Sequence, residues 1–167
     1  MSLELVHWTD PILRTRLERF NFDNPPANPV DLYNQLGQKL IETGGLGLAA
    51  NQVGWKYRFF VLHTDPIQGF FNPTIVDKSE GTLKLEEGCL SIPGVIAKVT
   101  RPSIIKLRYA DPTGKMQTTK FEGMTARAIQ HELDHLDGIL FTNHLSSLEL
   151  SLAIKKSKKK YIIGDIR

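Results

Sequence analysis

The sequence contains one cysteine, Cys89, so no disulfide can form within the chain, and a reducing, cytoplasm-like compartment is the expected setting. There is no run of 18 apolar residues, which leaves no helical span for a bilayer. The opening residues, Met1 through Trp8, lack a basic stretch followed by an apolar core, so no secretory leader is expected. Phosphate loops are missing as well. Gly45-Leu46-Gly47 is not completed by a third glycine, and no Gly-Lys-Ser/Thr occurs. Internal repeats and low-complexity linkers are absent too.

What remains is a chain of 167 residues, 41% hydrophobic and 23% charged, the composition of one globular domain with a substantial core. Its net charge of +3 is unevenly spread. Residues 155–167 carry six Lys/Arg and one Asp, whereas the preceding 154 carry fifteen Lys/Arg and seventeen Asp/Glu, a net −2. The body is mildly acidic and the basicity lies at one end. No DNA or membrane partner is expected.

Asn28-Pro29 has the form of a helix start, with Asn as N-cap and Pro at the first helical position. Leu32, Leu36 and Leu40 follow at helical spacing, with Tyr33 and Ile41 widening the stripe, and Gly44-Gly45 ends it. The middle of the chain reads as strands over 57–63, 70–76, 82–86, 103–109 and 115–121, the last two joined by the turn Asp111-Pro112-Thr113-Gly114. A helix is predicted over 124–136. Ser146 and Glu149 have capping-box spacing and open a last helix through about Lys160. Strands grouped in the middle with few helices around them predict an α+β fold.

The strongest chemical signal is His131-Glu132-Leu133-Asp134-His135. Two histidines four apart lie one above the other on a helix, so both imidazoles can reach one cation. Glu132 lies about 100° round the helix, where a general base beside that cation belongs. A shuffled chain with five His and nine Glu would hold only about 0.01 such patterns, so the spacing carries information. The bland alternative is a helix whose histidines are partly exposed and paired with Asp134 and Asp137.

A metal site on this helix needs a third ligand. In one large class of zinc proteases it is a histidine six residues after the second; here that position is Phe141, and His144 lies three residues late. The other large class uses a downstream Glu, and the only one here, Glu149, is better explained as a helix cap. Cys89 is the remaining candidate, presented where a strand gives way to Gly88. It could equally be a small buried hydrophobe.

Three segments, Gly45-Leu-Gly-Leu-Ala-Ala-Asn-Gln52, Glu87-Gly-Cys-Leu-Ser91 and Gln130-His-Glu-Leu-Asp-His135, together resemble the signature motifs of the peptide deformylases, in that family's order. Asp10 through Arg14 and Phe71-Asn72-Pro73 look like secondary landmarks of the same family. The resemblance implies a single domain of antiparallel β-sheets around a central metal-binding helix. It implies hydrolytic removal of the formyl group from N-formylmethionine at the start of nascent peptides. By motif position Cys89, His131 and His135 become the metal ligands and Glu132 the base, while Gln52 and the Leu90 backbone N–H steady the tetrahedral intermediate. The metal so implied is Fe²⁺, with Zn²⁺ or Ni²⁺ as substitutes.

The expected substrate contacts are Leu46 and Gly47 along an extended edge, Gly88 beside the thiol, and Met124 and Ala128 lining a methionine pocket, although Met124 could equally be ordinary core. Two departures from the family pattern stand out: Gly44 where many members carry an acidic residue, and no arginine near Ile96. Both bear on peptide affinity and sequence preference rather than on catalysis. The basic segment within 146–167 is either a solvated end or a contact for ribosomal RNA. A cytoplasmic location is expected, with an organelle or a phage-infected bacterial cell as alternatives.

Overall fold

The computed structural model describes residues 2–157 and residue 166. Helix α1 spans Pro29–Thr43. Asn28 caps it, its Oδ1 accepting from the N–H groups of Val30 and Asp31, and Gly44 ends it in the left-handed conformation at φ 69°. Leu32, Leu36 and Leu40 are buried as the stripe predicts, but Ile41 is 53% exposed. Ile41 follows Leu40 by 100° of rotation, which carries it off the edge of the stripe.

The strands are β1 (Gly47–Ala49), β2 (Phe59–Leu62), β3 (Gln68–Lys78), β4 (Thr82–Cys89), β5 (Ile92–Pro102), β6 (Ile104–Ala110) and β7 (Met116–Glu122). All pairings are antiparallel, in a five-stranded sheet of order β1-β2-β3-β6-β7 and a separate β4-β5 hairpin. The hairpin expected at Asp111–Gly114 joins β6 to β7, its Asp111 carboxylate accepting from the N–H groups of Thr113 and Lys115. Two strands, β1 and β5, go beyond the sequence expectation.

Helix α2 (Gly123–Leu136) buries Ala126, Ile129 and Leu136 against Phe60, Phe70, Leu107 and Tyr109 of the large sheet. The opposite face of the same helix meets the β4-β5 hairpin, so α2 lies between the two sheets with Arg127, His131 and His135 buried. Beyond it, the short 3-10 turn Phe141–His144 leads into α3 (Ser147–Lys156), capped by the reciprocal Ser146–Glu149 pair. Leu150 and Ala153 of α3 pack with Ile92, Val95, Val99, Leu140 and Phe141. The architecture is the expected α+β one in a single domain. Lys158, Lys159 and Lys160 of the basic end lie outside the described residues, and no helix among those described is long and apolar enough to cross a membrane.

Candidate metal centre

Cys89, at the end of β4, and His131 and His135, one turn apart on α2, each offer a ligand atom, and those atoms all lie within 4.8 Å of one another. The Cys89 Sγ is 3.2 Å from His135 Nε2. Both histidines are buried, so the alternative of exposed rings paired with Asp134 and Asp137 does not hold. Asp134 instead bonds Arg101 and His144, and Asp137 bonds Arg58.

The chemistry of the donors favours a cation among them. Burial alone would push the Cys89 thiol up, but the two histidines beside it overcome that and hold it well below the usual thiol range. A thiolate with two imidazoles is a soft-to-borderline donor set suited to zinc and to first-row metals of similar character. His131 Nδ1 lies 2.9 Å from a Glu87 oxygen, an interaction that fixes the ring and leaves its other nitrogen free for a metal.

Glu132 is buried, and one of its carboxylate oxygens has no partner among the described residues. Burial pushes this carboxyl up, and the neighbouring imidazoles offset only part of the effect. Its carboxylate lies against Gly47: a Cβ added at that glycine would come within 2.7 Å of Glu132 Oε1 and 2.8 Å of its Cγ. Gln52 comes from the 3-10 turn Ala50–Val53. Its Oε1 accepts from Ala49 N–H at 2.9 Å, so its NH₂ faces Ser91 Oγ at 3.1 Å and Cys89 Sγ at 3.7 Å.

A cleft of about 420 Å³ opens over these groups. Gln52, Cys89, Leu90, His131 and Glu132 line it, and so do Leu46, Gly47, Gly88, Met124 and Ala128, every substrate-contact candidate from the sequence. Met124 is 54% exposed at its rim, so it is not core. His135 lies just behind the lining, buried beside Cys89.

Sequence reasoning missed the groups that hold this site. Arg101 grips Glu87 through two bonds of 2.6 and 2.9 Å, and Arg127 bonds the same carboxylate. Burial opposes the Glu87 charge, but Arg101 and His131 outweigh it and pull the carboxyl down to about 2. Arg127 also donates to the carbonyls of Val99 and Leu83, fastening α2 to the hairpin. The only signal for these residues was the two arginines at otherwise inward-facing positions, Arg101 in an alternating strand and Arg127 one turn before His131.

A half-buried thiol and two histidines, beside a carboxylate with one oxygen unpartnered among the described residues in an open cleft, fit a metal-dependent hydrolase. The polypeptide deformylase family model matches residues 2–151. The peptide deformylase of Brucella suis is 40% identical over 164 residues, covering 93% of this chain and 91% of that protein. The Synechococcus elongatus peptide deformylase, solved in complex with actinonin, superposes with TM-score 0.89 at 34% identity, covering 99% of this chain and 90% of that one. The Thermotoga maritima peptide deformylase gives TM-score 0.82 at 32% identity, covering 87% and 99%. The chain belongs to the polypeptide deformylase family. It is a hydrolase of the formyl-amide bond, acting on formylated nascent polypeptides, in a family that is metal-dependent.

Proposed function

We propose that Cys89, His131 and His135 hold one divalent metal, Fe²⁺ by preference with Zn²⁺ or Ni²⁺ as substitutes, and that Glu132 is the general base of deformylation. The observation that carries this reading is the convergence of three donor atoms within 4.8 Å beside a buried carboxylate oxygen that has no partner among the described residues. When bound, the metal supplies Lewis-acid polarisation of the formyl carbonyl. Glu132 accepts a proton from the attacking water as its oxygen bonds to the formyl carbon, and passes that proton to the departing nitrogen as the C–N bond breaks. Formate and a free methionyl amino group result. The Gln52 NH₂, held by its own carbonyl on Ala49, and the Leu90 backbone N–H donate to the oxygen on which negative charge develops, each worth a few kcal/mol of barrier.

The substrate lies extended along Leu46 and Gly47, passing Gly88, with its methionine side chain against Met124 and Ala128. The exposed apolar rim of Leu46, Ile96 and Met124 suits such a chain. The basic C-terminal segment, beginning with Lys155 and Lys156, supplies a contact to the ribosome, and the enzyme works in the cytoplasm where nascent chains emerge.

The test is anaerobic formate release from an N-formylmethionyl tripeptide, with metal content per chain measured after desalting for wild type, Cys89→Ser and Cys89→Ala. Both variants are expected to lose metal and turnover, because a serine hydroxyl stays protonated near neutral pH and binds such ions poorly. Stoichiometric metal and wild-type formate release in Cys89→Ala would refute the ligand set.

A further inference from the structure

Behind the ligands lies a line of charge that the mechanism above does not use. His131 reaches Glu87, Glu87 is gripped by Arg101, Arg101 NH1 bonds Asp134 Oδ2 at 2.9 Å, and the same oxygen meets His144 Nε2 at 2.7 Å. The line runs from a buried ring to a histidine side chain that is 38% exposed. We propose that Asp134 and His144 are positioning residues for the metal centre, acting through Arg101 and Glu87 to hold the His131 ring with its Nδ1–H on Glu87. The inference rests on His131 being a ligand.

Three observations carry it. The first is charge. Arg101 and Arg127 both converge on Glu87, so one buried carboxylate faces two guanidinium groups. Asp134 is the second anion, and with it the charges of Glu87, Asp134, Arg101 and Arg127 sum to zero. Without Asp134 a positive charge is left uncompensated one residue from His135, where it opposes a divalent cation.

The second is saturation. Glu87 accepts two bonds from Arg101, one from Arg127 and one from His131, about the full capacity of a carboxylate. Its position is therefore set by its donors. The remaining Arg101 nitrogen, NH1, is anchored by Asp134, which fixes the guanidinium plane that grips Glu87.

The third is the folding-back of the chain. The 3-10 turn Phe141–His144 brings the Phe141 ring to 6.0 Å from the His131 ring and, three residues on, His144 to Asp134. One turn thus supports His131 twice, by packing and through the charge line. An ionised Asp134 only accepts, so His144 donates from Nε2.

The test compares wild type with Asp134→Asn, His144→Phe and His144→Gln. It reads Zn²⁺ affinity by competition with a chelator, the ¹⁵N shifts of the His131 ring, and KM against kcat for a formylated tripeptide. Asp134→Asn should weaken Zn²⁺ binding by about 10–100-fold, as loss of an outer-shell partner typically does, while KM holds. His144→Phe should weaken it by about 3–10-fold, and His144→Gln, which restores an N–H donor, should return it towards wild type. The His131 shifts should move from the single Nδ1–H form towards a tautomer mixture in the two weakened variants. If Asp134→Asn fails to fold, the half-exposed His144 pair decides the matter alone. Wild-type Zn²⁺ affinity and unchanged His131 shifts in His144→Phe and Asp134→Asn, with only a lowered Tm, would overturn the proposal. A wild-type protein that binds no Zn²⁺ would overturn the ligand assignment, a result distinct from the preceding one.

Discussion

Glu132 shows how much of this site depends on a single atom being absent next door. Its carboxylate occupies the space where any side chain at position 47 would begin, so glycine there is a requirement of the Glu132 side chain and not of the backbone. Gly47 has no left-handed φ, and alanine would fit the strand itself. Gly47→Ala should therefore fold normally and hold metal, yet push Glu132 off its position and lower kcat by about 100-fold, the cost of a displacement near 1 Å. Glu132→Gln, which keeps the shape and removes the proposed base, should also retain metal and lose about 10²–10⁴-fold in kcat. Formate release and metal content on the same samples check both. Near-wild-type turnover in fully loaded Glu132→Gln would remove the carboxylate from the mechanism, and normal turnover in Gly47→Ala would mean that Glu132 has room to move that the packing denies it.

At the scale of elements, two glycines that end helices make opposite demands. Gly44 closes α1 at φ 69° with open space where a Cβ would stand, whereas Gly138, after α2, has φ 73° and would place a Cβ 2.6 Å from the Arg14 carbonyl carbon. Gly44→Ala should cost about 1 kcal/mol, the left-handed penalty alone. Gly138→Ala adds a clash with the backbone of the Pro11–Arg14 turn and should cost roughly 3 kcal/mol or more, read by urea unfolding. Equal losses would mean that the N-terminal turn yields freely to α2. The Gly44 stop, like the Asn28 cap and the Leu32-Leu36-Leu40 stripe, was legible in the sequence because it depends on neighbours within a few residues. Strand β5 was not, although Val95, Val99 and Arg101 alternate inward with exposed Ile96, Lys98 and Thr100. Pro93 and Gly94 break its start, and its inward arginine makes the buried face look polar. The partner that explains Arg101, Glu87, lies across the hairpin and is invisible to any local pattern. The grouping of His131, His135 and Glu132 could be read because the helix fixes their spacing, and Cys89, the lone thiol, was the remaining candidate to join them. His144 could not, since its contact with Asp134 depends on a turn that the nine intervening residues must first form.

For the molecule as a whole, Glu87 is where both strands of the β4-β5 hairpin and the central helix are joined. It sits on β4, takes Arg101 from β5, and takes Arg127 and His131 from α2. That concentration of charge gives the metal-free protein a specific sensitivity to acid. The folded state keeps Glu87 ionised down to about 2, while in the unfolded chain it protonates near its ordinary 4.5. A depressed folded value means that the stabilisation is fully present above about pH 4.5 and is lost as pH falls towards 2. The size over that window is roughly 3 kcal/mol. Glu87→Gln lacks this titration and also leaves Arg101 and Arg127 without their buried carboxylate, so it should already be roughly 3–5 kcal/mol less stable at pH 7. Urea unfolding of both metal-free proteins between pH 7 and pH 2 separates the two effects, because the carboxylates remote from this junction titrate alike in each. The gap between the proteins should be constant from pH 7 to about pH 5 and then close by roughly 3 kcal/mol as the wild type takes up its extra proton. Curves that stay parallel down to pH 2 would show that Glu87 is no more acidic in the folded protein than in the unfolded chain, and that the junction is not held by this charge.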